Sequence, residues 1–290
     1  MANDPSETYD LEGRVALVTG ASRGVGAAVA FALAEAGCLV ACAARSTKAS
    51  PQRTPGTLDE TLERIRAAGG TAIGVPTNLS DPDQVTAMVS RTAEELGGLD
   101  IVINNAAVTF VGDLDIALNR HDLVMEINLR APLIAIREAV PHLRKAGGGR
   151  IVNVSSLAGL QPIPGLMSYG ISKIGLERLS VDLASQLQPD GIAVNVFRID
   201  IPVASEGFLA NAPDADHSTW EPPEVAAEGI LWMLRQPTRY SGRRESMNAL
   251  RHREAIMATR AARQYEGNPS TELFDGLATE AESVFREPYE

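Results

Sequence analysis

The sequence predicts an α/β protein built on a doubly wound parallel sheet, and three observations point to it. Short apolar runs alternate with longer stretches of helical periodicity. The first apolar run leads directly into a glycine-rich turn and then an alanine-rich helix. No linker-like stretch interrupts the alternation before residue 249. The expected architecture is a Rossmann-type sheet in a single domain, residues 1–249, followed by a helical C-terminal extension over 250–290.

The elements follow in order. After a polar start, Arg14 to Thr19 (RVALVT) has the length and bounds of a buried strand. Gly20-Ala-Ser-Arg-Gly24-Val-Gly26 is the turn, and Ala27 to Ala36 is a helix stopped by Gly37. Leu39 to Ala44 is the second strand, which completes a β-α-β unit. Ser46 to Thr57, rich in Ser, Thr and Pro, reads as an exposed loop. The next helix places Leu58, Leu62 and Ile65 on one face and ends at Gly69-Gly70. Thr71 to Pro76 is the third strand. Asp81-Pro82 then starts a helix with apolar positions Val85, Val89, Ala93 and Leu96. Asp100 to Asn104 is the fourth strand, a long helical region runs to Ala146, and Arg150 to Val154 is the fifth. A helix bearing Tyr169 precedes the sixth strand, Ile192 to Phe197. Leu250 to Glu290 is polar and reads as two short helices around an Asn268-Pro269 break, with no strand.

Bulk properties narrow the function. A length of 290 residues with 44% hydrophobic and 22% charged residues suits a globular protein with a large core. The net charge of −11 argues against nucleic-acid and anionic-membrane partners, which favour cationic surfaces, and so points to a small-molecule partner. Cys38 and Cys42 have neither zinc-ligand nor disulfide-framework spacing. The four histidines, His121, His142, His217 and His252, are scattered, and no metal site is expected. No run approaches the ~18 apolar residues of a membrane span, and residues 1–10 lack the layout of a secretory signal. A cytoplasmic location is the expectation.

Two motifs can carry chemistry. The glycine turn brings backbone close to a pyrophosphate and aims a helix N-terminus at its charge. Tyr169 and Lys173 stand four residues apart, on one face of a helix. A free phenol has a pKa near ~10 and a free amine near ~10.4. A fixed positive charge beside the phenol favours the phenolate, which makes the tyrosine a usable proton-transfer group. No Gly-x-Ser-x-Gly elbow and no P-loop Gly-Lys-Ser/Thr is present.

The order Thr19-Gly20-x-x-x-Gly24-x-Gly26, Asn104-Asn105-Ala106-Ala107, Asn128, Ser156 and Tyr169-x-x-x-Lys173 resembles the short-chain dehydrogenase/reductase family over residues ~12 to ~248. The resemblance implies a catalytic set of Ser156, Tyr169, Lys173 and Asn128. In it Tyr169 is the general acid or base, Lys173 lowers its pKa and holds the cofactor ribose, and Ser156 bonds the substrate oxygen. Asn128 fixes a water near Lys173. The serine thirteen residues before the tyrosine is Ser156 rather than Ser155. Cofactor contacts are implied for Gly20, Ser22, Arg23, Gly24, Val25, Gly26, Arg45, Asn78, Leu79, Asn105, Ala106 and Ala107, with Tyr169 and Lys173. Where NAD-preferring relatives carry an acidic residue this chain has Ala44, followed by Arg45, and Arg23 lies inside the glycine turn. Both arginines suit the 2′-phosphate, so NADP(H) is the expected cofactor and NAD(H) its alternative.

The expected activity is NADP(H)-dependent interconversion of a carbonyl and a secondary alcohol, by a homodimer or homotetramer. The chain departs from the family pattern at Arg198-Ile199-Asp200-Ile201-Pro202, where a Pro-Gly pair is missing. Asn78 replaces an aspartate near the adenine, and Ala107 replaces a glycine. The competing expectation is a cofactor-binding sensor or assembly subunit with little turnover. Glu206 to Trp220 is the expected lid, with Phe208, Leu209 and Trp220 as apolar walls suited to a weakly polar or apolar carbonyl compound.

Overall fold

The computed structural model describes residues 8–266. Its strands are β1 (Val15–Thr19), β2 (Leu39–Ala44), β3 (Thr71–Pro76), β4 (Ile101–Asn104), β5 (Gly149–Ser156), β6 (Ile192–Ile199) and β7 (Arg244–Ser246). They pair in parallel as one sheet in the order β3-β2-β1-β4-β5-β6-β7. Strand order reverses between β1 and β4, and the loops after these strands open there, where such sheets bind ligands.

Helices cover both faces, which is why the strands read as unbroken apolar runs. Ala16 and Val18 of β1 join one core, with α1 (Gly24–Glu35), α2 (Leu58–Ala67), α8 (Pro223–Leu234) and α9 (Met247–Glu254). Val15 and Leu17 join the other, with α3 (Pro82–Leu96), α5 (Ala131–Lys145) and the C-terminal half of α6 (Met167–Leu187). Local chemistry sets the boundaries. Thr57 and Glu60 form a reciprocal capping box on α2. Asp81 caps α3 with Pro82 in its first turn, and Gly97 ends it in the left-handed conformation at φ 82°.

Three features differ from the sequence reading. The first helix begins at Gly24 rather than Ala27. The long helical region before Ala146 is divided into α4 (Leu118–Met125), a π-helical turn at Glu126–Arg130, and α5. A seventh strand, Arg244–Ser246, pairs on the edge beside β6. Being short and polar, it has no apolar run to announce it.

The chain after α9 packs back onto the body. Met257 is fully buried in the first core. Glu221, also fully buried, accepts from Arg251 Nη2 at 2.7 Å, Thr259 Oγ1 at 2.6 Å, and the backbone N–H groups of Arg260 at 2.8 Å and Ala261 at 3.1 Å. The break expected at Asn268-Pro269 lies outside the described residues. No helix among the described residues is long and apolar enough to cross a membrane.

Candidate active site

The glycine turn closes against the loop after β4. Gly20 has φ +69°, and a Cβ there would stand 2.8 Å from Asn105 Nδ2. A Cβ on Gly26 would stand 2.3 Å from the Gly20 carbonyl oxygen, so only glycine lets the helix approach the strand this closely. Asn105 Nδ2 donates to the Thr19 carbonyl at 2.9 Å, and Thr19 Oγ1 accepts from the N–H groups of Asn105 at 3.1 Å and Ala106 at 3.2 Å. Asn104 Nδ2 donates to Asn153 Oδ1 at 2.8 Å and ties β4 to β5.

At the N-terminus of α1 there is no side-chain cap and no acidic residue in the first turn. Helices α2, α3 and α9 are capped by Thr57, Asp81 and Ser246. The first amides of α1, like those of α4, α5, α6 and α8, have no side-chain acceptor; at α1 they follow the glycine turn, which suits an anionic ligand. Ser22 and Val25 are buried beneath this turn.

Arg45 is exposed at the end of β2. Arg23 donates from Nε to the Pro55 carbonyl at 2.6 Å and from Nη2 to the Gly56 carbonyl at 2.9 Å. Burial lowers its pKa, Glu206 acts against that, and the neighbouring Arg45 charge adds to it. Two cationic side chains thus share this corner. Asn78 Oδ1 accepts from Ser80 Oγ at 3.0 Å and shapes the turn into α3, while Leu79 packs on the second core.

Ser156 ends β5, its Oγ accepts from the Ala158 N–H at 3.3 Å, and its side chain neighbours the Tyr169 phenol. Burial pushes the phenol up to about 12, above its ordinary value rather than below it as expected from Lys173, and the Ser156 side chain opposes the rise. Lys173, one turn on, is buried; its Nζ donates to the Val154 carbonyl at 2.8 Å and lies 5.5 Å from the Tyr169 ring centroid. Burial lowers its pKa to about 8, with Glu177 acting in the other direction. Asn128, fully buried in the π-helical turn, accepts from Val108 N–H at 2.8 Å and donates to the Val108 carbonyl at 2.9 Å and to Ser172 Oγ at 3.1 Å. Ser172 Oγ in turn donates to the Tyr169 carbonyl at 2.7 Å. Ser156, Tyr169 and Lys173 are brought together directly, and Asn128 reaches their helix through Ser172.

Beyond β6, Asp200 turns away from these groups: its Oδ1 accepts from Asn248 N–H at 2.9 Å, in the first turn of α9. Burial raises the Asp200 pKa. Ser205 caps α7 (Glu206–Asn211). Phe208 of α7 stacks on Trp220 at 4.5 Å, and His217 packs on the same indole at 4.2 Å. Sequence reasoning missed Ser172, Glu177 and Glu206. For Glu177 a signal existed, since it continues the four-residue spacing of Tyr169 and Lys173. No cluster of metal-ligating side chains occurs among the described residues.

The family model for short chain dehydrogenases matches residues 14–201. The chain belongs to the short-chain dehydrogenase/reductase family. Among relatives of this short-chain dehydrogenase/reductase is hydroxysteroid dehydrogenase-like protein 2 of Bos taurus, 30% identical over 240 residues, which cover 81% of this chain and 56% of that protein. The chain thus spans about half the length of such relatives. A short chain dehydrogenase from Burkholderia cenocepacia J2315, solved in complex with NADP, superposes with a TM-score of 0.73 at 30% identity, over 82% of this chain and 97% of that one. A metagenomic short-chain oxidoreductase in complex with NADP gives 0.66 at 28% identity, over 82% and 96%.

Proposed function

We propose that this short-chain dehydrogenase/reductase is an NADP(H)-dependent oxidoreductase that interconverts a carbonyl and a secondary alcohol. The observation that carries the reading is the juxtaposition of Ser156, at the end of β5, with Tyr169, one helical turn from the buried Lys173, whose Nζ lies 5.5 Å from the Tyr169 ring centroid.

The residues present fit a dinucleotide. The amides of α1 lack a side-chain cap, the glycine turn leaves room for a close approach, and Arg23 and Arg45 place positive charge where Ala44 offers no repelling carboxylate. That charge supports NADP(H) over NAD(H), as does the NADP bound by the Burkholderia cenocepacia relative. Ala106 and Ala107, after β4, and Asn78 and Leu79, after β3, would help to hold the cofactor. When bound, the nicotinamide exchanges hydride with the substrate carbon.

The protein's own groups handle the proton. Tyr169, raised above its ordinary pKa, is protonated at neutral pH and in the state to donate to a carbonyl oxygen. Ser156 bonds the same oxygen and stabilises charge as it develops. Lys173 carries positive charge beneath the phenol and orients the cofactor ribose. Asn128 holds the Val108 backbone and, through Ser172, fixes the turn that presents Tyr169.

Exposed Phe208 in α7, beside Trp220, supports a weakly polar or apolar substrate. Leu133 on α5 with Ile171 and Ile174 on α6 are exposed apolar residues that support a homodimer or homotetramer. Replacing Tyr169 with Phe tests the reading: turnover is lost while NADPH binding is kept.

A further inference from the structure

Glu177 extends the Tyr169–Lys173 ladder by one more turn of α6 and is completely buried. Both carboxylate oxygens are engaged. Arg198, on β6, donates from Nε to Oε1 at 2.9 Å and from Nη2 to Oε2 at 2.6 Å. Ser155 Oγ, from β5, donates to Oε1 at 2.7 Å. One carboxylate therefore joins the helix that bears Tyr169 and Lys173, the strand that ends in Ser156, and the strand that leads into the unusual Ile199–Pro202 loop.

A buried ion pair of this kind contributes little net stability relative to apolar residues of similar volume. Apolar residues cannot, however, put negative charge beneath a buried lysine. The ionisable groups around this cluster are Tyr169 and Glu177 on α6, Arg198 on β6, and Asp200 just beyond β6. Val154, Ser155 and Asn128 present neutral groups. Arg198 partly cancels the charge that Glu177 directs at Lys173.

We propose that Glu177 is a positioning residue of this site: its carboxylate, clamped by Arg198 and Ser155, keeps Lys173 in the charged form and fixes the end of β5 against the helix of Tyr169. The proposal rests on the oxidoreductase reading for its purpose, but its physical content is independent of turnover. Burial drives the lysine toward its neutral form, and Glu177 opposes that drive. Removing either partner of the clamp then moves Lys173 in opposite directions. Loss of Glu177 makes deprotonation easier. Loss of Arg198 leaves an uncancelled carboxylate and makes it harder.

The chain contains three lysines, Lys48, Lys145 and Lys173. Nζ-labelled lysine therefore allows Lys173 to be titrated by NMR, with assignment from a Lys173→Met difference spectrum. Glu177→Gln is expected to lower the Lys173 midpoint by about one pH unit, Glu177→Asp to restore most of it, and Arg198→Met to raise it. In turnover assays the alkaline limb of kcat moves in the same directions, with NADPH affinity retained. Midpoints that stay put, or that move the same way in Glu177→Gln and Arg198→Met, overturn the proposal. If Glu177→Gln does not fold, Arg198→Met decides alone, and a midpoint at or below that of the unaltered protein refutes it. Absence of turnover in the unaltered protein counts against the oxidoreductase reading and leaves the titration result standing.

Discussion

Glu206 holds a carboxylate oxygen in front of Gly24, 3.5 Å from where a Cβ on that glycine would stand. This oxygen, Oε2, is buried and has no hydrogen-bond partner. Gly24 is the first residue of α1, whose N-terminus has no side-chain cap. An anion at the positive end of a helix is stabilised, and a cofactor pyrophosphate would claim the same place.

Glu206→Gln is therefore expected to tighten NADPH binding. Relieving like-charge repulsion of about 1 kcal/mol corresponds to a roughly fivefold lower Kd. Fluorescence titration measures it, and an unchanged or weaker Kd removes Glu206 from the cofactor's path.

Arg45→Asp should raise the KM for NADPH far more than that for NADH. Arg45 is exposed, so the exchange leaves Tm within a degree or two of its starting value. Arg23 is a poorer probe because it also anchors the loop at Pro55 and Gly56. Equal small effects on both cofactors would refute the assignment of Arg45 to the 2′-phosphate.

Lys173 couples function to stability. Its pKa in the fold, about 8, lies below the ordinary 10.5. The unfolded chain thus holds the proton more tightly, and stability rises with pH between these two values. At pH 7 the buried charge costs on the order of 3 kcal/mol. With the hydrogen bond to Val154 also lost, Lys173→Met is expected to stabilise the protein by about 1–2 kcal/mol at pH 7 while abolishing turnover. The gain should vanish by about pH 10.5. Thermal unfolding at neutral and alkaline pH measures it, and a Tm at pH 7 below that of the unaltered protein contradicts it.

Much of this was legible in the sequence because the signals are local. Leu39–Ala44 and Thr71–Pro76 are strands with the expected bounds, since each is a short apolar run closed by turn residues. Gly20 and Gly26 announce the turn because no other residue fits there. Arg244–Ser246 was not legible, because a polar edge strand has neither an apolar run nor alternation. The π-helical turn at Glu126–Arg130 reads as ordinary helix, and the contact its Asn128 makes with Val108 comes from another segment of the chain. The pairings of Arg23 with Pro55, Glu177 with Arg198 and Glu206 with Gly24 bring together residues far apart in the chain. Each of those side chains, read alone, looks like a solvated charge.

The most direct test of the central claim is to titrate the protein with NADPH and NADH and follow NADPH consumption across a panel of weakly polar ketones and aldehydes, beside Tyr169→Phe. The expected result is tighter binding of NADPH, turnover by the unaltered protein, and a Tyr169→Phe variant that binds NADPH equally well but turns over about 100-fold or more slowly. Failure to bind either cofactor, or undiminished turnover in Tyr169→Phe, would contradict it.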